Sequence, residues 1–165
     1  MSETKTSLAD EISAFIEGCD FVSDEDKERI PRVSRELDAQ SLTVSEAADR
    51  HMSLAVEVAW IAAHYNAVSK DAKLRFIHYE AATKLQIRVE SERRKQEGSK
   101  STVPEWVADA LTMSNSTYGE LHREMVLTER LAAFLTGLEY SLAQRARLLE
   151  MMSKEAERIG RSSGE

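Results

Sequence analysis

Between Thr43 and Gly98 the chain contains neither proline nor glycine. Without those residues nothing local stops a helix once it has started. Thr43 with Glu46 three residues later has the form of a capping box, and Gly98 is the first residue suited to the left-handed conformation in which helices end. Unbroken, residues 44–97 would make a rod of about 80 Å. The alternative is a break at Ser69-Lys70-Asp71, with Ser69 capping a second helix.

The apolar pattern along this stretch predicts how it packs. Leu54, Val58, Ile61, Tyr65, Val68, Ala72, Arg75, Tyr79, Ala82, Gln86 and Val89 recur at alternating steps of four and three, the spacing of a heptad seam. The first half is apolar on its other faces too, at Ala55, Val56, Ala59, Trp60 and Ala62, which predicts a bundle interior there. Leu131, Leu135, Leu138, Leu142, Arg145, Leu149, Met152, Ala156 and Ile159 form a second seam. It is expected antiparallel to the first, in a final helix that Asn115 or Ser116 caps and Gly160 stops. Arg145 interrupts that seam and is expected to pair across the hairpin with an acid such as Glu80 or Asp71, setting register, or else to line a basic channel in an oligomer.

Between the two, Glu97-Gly98-Ser99-Lys100-Ser101 is a turn cluster, and Thr102-x-x-Glu105 with Pro104 opens a short helix over about 103–113. That helix is expected to bury Trp106, Val107, Ala110 and Leu111, with Trp60 and Trp106 as packing anchors. The front of the chain reads as an acidic helical section, residues 1–42. Ser7 caps a helix that Gly18 ends, with Leu8, Ile12, Phe15 and Ile16 on one face. Ser23 caps a second, with Pro31 predicting a kink or break near Ile30. Residues 161–165 are expected to be a disordered tail.

The fold class is therefore all-α: a long antiparallel helical hairpin, about 44–97 and 116–159, with a short connecting helix and a small acidic front section. Two helices cannot bury two seams and the further apolar side chains Phe134, Tyr140, Leu148 and Met151, so a homo-oligomer is expected. Cys19 is the only cysteine, which excludes an internal disulfide and a cysteine zinc cluster. The histidines His51, His64, His78 and His122 are scattered, and no paired Glu-x-x-His motifs, phosphate-binding loop or nucleophile elbow occurs. No catalytic residue, cofactor or metal site is expected. No apolar run is long enough to cross a membrane and no signal peptide is visible, so a cytoplasmic protein is expected.

Charge is unevenly spread. The chain carries a net −7, yet residues 65–101 hold nine Lys or Arg against five Asp or Glu, a local +4. Residues 1–50 hold six basic against thirteen acidic side chains. Lys70, Lys73, Arg75, Lys84, Arg88, Arg93 and Arg94 are the candidate nucleic-acid contacts, with Phe76, His78 and Tyr79 among them. A cationic track interleaved with rings is how proteins bind single strands without reading sequence. The competing reading is a solvated helix whose acids neutralise its bases.

Residues 65–160 resemble the UvsY-type recombination mediators of bacteriophages. The resemblance lies in Ala72-Lys73-Leu74-Arg75 followed by His78-Tyr79, the basic run ending Arg93-Arg94-Lys95, Lys100-Ser101-Thr102-x-x-Glu105, Tyr118, and Leu131-x-x-Phe134 to Arg145-x-x-Leu148-Leu149. It implies a non-enzymatic oligomer in the host-cell cytoplasm that binds single-stranded DNA and helps a RecA-like recombinase displace single-strand-binding protein. It maps a Lys-x-Arg DNA contact onto Lys73 and Arg75. The acidic front has no counterpart in that family and is expected to compete with DNA for the basic helix or to dock on a basic partner. The other reading is a coiled-coil structural or adaptor protein of a phage, such as a host-factor inhibitor or assembly scaffold, that binds protein and not DNA.

Overall fold

A computed structural model describes residues 8–36, 43–98 and 103–162, and every regular element among them is helical. These are α1 (Leu8–Glu17), α2 (Asp24–Glu36), α3 (Val44–Gln96), α4 (Glu105–Met113) and α5 (Ser116–Ser162). The chain divides into two units, residues 1–64 with 132–165, and residues 65–131. The long helices α3 and α5 contribute to both.

The helix ends follow local chemistry. The Thr43 hydroxyl accepts the Glu46 amide at 3.3 Å while the Glu46 carboxylate accepts the Thr43 amide at 2.9 Å, a complete capping box. Thr43→Ala should cost about 1 kcal/mol in a urea titration, and a loss near zero would mean the box does not hold the start of α3. Gly98, at φ 96°, closes the other end in the left-handed region. Between them α3 runs 53 residues without interruption, passing through Ser69-Lys70-Asp71 as regular helix. Ser23 accepts the Asp26 amide at the start of α2, and Asn115 accepts the Thr117 amide at the start of α5. α1 ends just before Gly18. The predicted caps at Ser7 and Thr102 lie outside the described residues.

Neither Pro31 nor Gly160 breaks its helix. α2 continues through Pro31 to Glu36, because Ile30, Pro31 and Val33 are all buried and their packing outweighs one missing backbone donor. α5 continues through Gly160 to Ser162, since glycine in a helix costs only about 1 kcal/mol and does not itself force the chain out. The start of the predicted tail is therefore helical; 163–165 lie outside the described residues.

In the first unit α1 packs on α2, burying Ile12, Ile16, Cys19 and Val22 with Ile30 and Val33. Glu57 on α3 accepts Arg29 Nε at 2.6 Å and Arg32 Nη2 at 2.8 Å, tying α2 to the long helix. The Arg29 hydrogen bond holds the Glu57 carboxyl below its ordinary range, against partial burial that pushes the other way. That contribution is present above the ordinary carboxylate pKa and is lost as pH falls through the lowered one. Leu54, Val58, Ile61, Leu135, Leu142 and Ala146 are buried in the same unit.

α3 and α5 meet in each unit. Ala47 and His51 share a groove with Leu148 and Leu149 in the first unit, while Phe76 meets Tyr118 and His122 in the second. The predicted seam on α3 holds from Leu54 through Tyr65, which is fully buried, to Ala72. Beyond it the buried side shifts by one residue. Phe76 and Ser91 are buried while Arg75, Ala82, Gln86 and Val89 are exposed. A straight helix drifts about 20° per heptad against a 3.5-residue repeat, so a strict seam persists only where the helices supercoil. On α5 the seam holds over Leu131, Leu135 and Leu142, then Ala146 replaces Arg145 on the buried side and Met152 and Ile159 are exposed.

Neither tryptophan is a packing anchor. Trp60 is 75% exposed and Trp106 73%. α3 is apolar nearly all round near Trp60, and its buried side there is that of Leu54, Ala55, Val58, Ile61 and Ala62. α4 buries Ala108 and Thr112, one turn apart, with Val107 half-buried. That choice turns Trp106, Ala110 and Leu111 outward, against expectation.

Candidate nucleic-acid interface

The seven candidate cations all lie on the part of α3 within the second unit, and five of them are held by acids. Arg75 donates from Nη2 to Glu124 on α5 at 2.7 Å and from Nε to Asp71 at 2.9 Å. Lys84 lies 2.8 Å from Glu80 and 2.9 Å from Asp109 on α4, and the Glu80 hydrogen bond, followed by that of Asp109, raises its pKa well above the ordinary lysine value. Arg88 donates to Glu105 at 2.9 Å. Arg93 bonds Glu90 and Glu97, and Arg94 donates to Glu90 at 2.9 Å. Hydrogen bonds from Arg93 and then Arg94 hold the Glu90 carboxyl at about 2.

Lys70 and Lys73 differ from the rest. They are exposed, adjacent on one side of the helix, and among the described residues neither has an ion-pair partner. The structure thus brings together a two-lysine point rather than a seven-residue track. Arg75 turns toward α5, and Lys84 and Arg88 turn toward α4.

The rings expected among the cations are also committed. Phe76 is buried, its ring 5.1 Å from that of Tyr118 and 5.4 Å from that of His122, so it is a contact between helices. Tyr65 is likewise buried and Tyr79 is half-buried; His78 is exposed. Asp71 is bound by Arg75 and Glu80 by Lys84, and Arg145 edges the groove with Ala47 and His51 in the first unit.

The α4 contacts have a signature in the sequence. Lys84 and Arg88 are four residues apart, and so are Glu105 and Asp109. Two helices with matched four-residue spacings and opposite charge pair in reversed order, as Lys84 with Asp109 and Arg88 with Glu105 do. The Tyr118 and His122 pair that receives Phe76 carries the same spacing.

Among the described residues no group of three His, Cys, Asp or Glu is arranged to hold a metal, and no helix is long and apolar enough to cross a membrane. No family model, curated protein or solved structure matches the chain.

Proposed function

We propose that the chain is a non-enzymatic helical assembly protein that works by docking on protein surfaces, the structural or adaptor reading. One observation carries it: large apolar side chains, led by Trp60 on α3 and Trp106 on α4, stand in solvent. Tryptophan is the residue most enriched where protein interfaces concentrate their binding energy, and contiguous exposed apolar surface marks association sites. The pairing of most cations of α3 with acids of the same chain favours this reading over a polyanion groove, because those cations must give up existing partners to meet phosphate.

A second reading is a single-stranded DNA-binding recombination mediator of a phage, with a RecA-like recombinase and single-strand-binding protein as its protein partners. Lys70 and Lys73 support it. Fluorescence anisotropy with a labelled single-stranded oligonucleotide over a salt series separates the two. Absence of binding at about 50 mM salt supports the assembly protein. Binding that weakens steeply with salt, and that Lys70→Ala combined with Lys73→Ala abolishes, supports the mediator and overturns the first reading.

A further inference from the structure

Within the second unit, α3 carries an exposed apolar stripe on the side away from Phe76 and Ser91: Leu74, Ile77, Ala81 and Leu85, with Val89 at its edge. Leu74 is 54% exposed and Leu85 63%. Lysines flank one end and a glutamate the other. Lys70 and Lys73 stand at one end and Glu92 at the other, and among the described residues none of the three has an ion-pair partner. The neighbouring charges Asp71, Arg75, Lys84, Arg88 and Arg93 all do.

We propose that this stripe is the contact between two copies of the chain, paired antiparallel about a two-fold axis at Ala81. The inference rests on the assembly reading and names its surface and partner. A stripe with a positive and a negative end complements a reversed copy of itself, and the two-fold places both ends in contact twice. Ala81 is the position that satisfies this geometry. Lys70 and Glu92 lie eleven residues on either side of it, and Ile77 and Leu85 four residues on either side. Reversal about Ala81 therefore sets Lys70 against Glu92 of the second copy and Ile77 against its Leu85. Alanine at the axis, with Ala82 beside it, lets the helices approach closely where they cross. Lys95 falls one turn beyond the end of the stripe, opposite Ala67. A parallel pair would instead stack Lys70 on Lys70 and Glu92 on Glu92, which like-charge repulsion disfavours.

Cysteine cross-linking tests the arrangement directly. The native Cys19 is buried, so a thiol introduced on the stripe reacts alone. Under mild oxidation Ala81→Cys is expected to give a disulfide-linked dimer. Leu74→Cys is not, because reversal sets the two copies of that residue about 21 Å apart along the helix, far beyond disulfide reach. In sedimentation equilibrium, Glu92→Lys should weaken self-association at least about tenfold. Adding Lys70→Glu and Lys73→Glu to it should restore wild-type association, a rescue that mere unfolding could not produce. Cross-linking of Leu74→Cys as fast as Ala81→Cys would mean a parallel pair and overturn the proposal. Self-association unchanged in Glu92→Lys would place the interface elsewhere, overturning this inference while leaving the assembly reading intact. A wild-type chain that stays monomeric throughout also overturns it, and the oligonucleotide titration then decides separately on the broader reading.

Discussion

Leu135→Ala is expected to destabilise the protein by about 2 to 5 kcal/mol, the range for emptying a well-packed leucine site. Leu135 is fully buried on α5, where Leu131 and Leu142 are buried with it. Ile159→Ala, at a position of the same predicted seam, should change stability by no more than about 0.5 kcal/mol, because Ile159 is 56% exposed. Urea titrations at constant slope make the comparison. Equal losses at the two sites would show that the end of α5 is covered, and the seam would then run its whole predicted length.

Lys70→Pro should cost about 3 kcal/mol or more and lower the helical signal in far-ultraviolet circular dichroism. In a continuous helix the ring removes one backbone hydrogen bond and strikes the carbonyl four residues earlier. The alternative folding of the same residues, with Ser69 capping a new helix, puts position 70 at the first helical residue. Proline is favoured there, and the substitution would be nearly silent. Lys70→Ala, which keeps the amide, serves as the control. A silent Lys70→Pro would therefore break the 53-residue helix in two.

What the sequence made legible were features decided within one turn of backbone. Ser23, Thr43 and Asn115 cap because a side-chain oxygen reaches an amide two or three residues on, and Gly98 ends α3 because it accepts a positive φ. Which side of a helix is buried depends on a neighbour far away in sequence. The seam holds from Leu54 to Ala72 and is exposed at Arg75 and Val89, as expected where a 3.6-residue helix drifts against a 3.5-residue repeat. Trp60 and Trp106 were misplaced for a related reason: apolar character says that a side chain gains by burial, not that a partner within the same chain provides it. Lys70 to Arg94 were identified as a charge excess, but the partners Glu105, Asp109 and Glu124 lie on other helices and are invisible to a count over residues 65–101.

The ion pairs along the second half of α3 have a consequence for kinetics. A cation with a carboxylate at hydrogen-bond distance is seen from afar as a dipole, whose field falls off faster with distance than that of a lone charge and is further screened within a Debye length of about 8 to 10 Å. The surface carrying Arg93, Glu90, Arg94 and Glu97 is thus dense in charge and poor in reach. Molecules arrive at it by unguided diffusion, and only after collision, when side chains exchange partners, does its charge pattern discriminate among them.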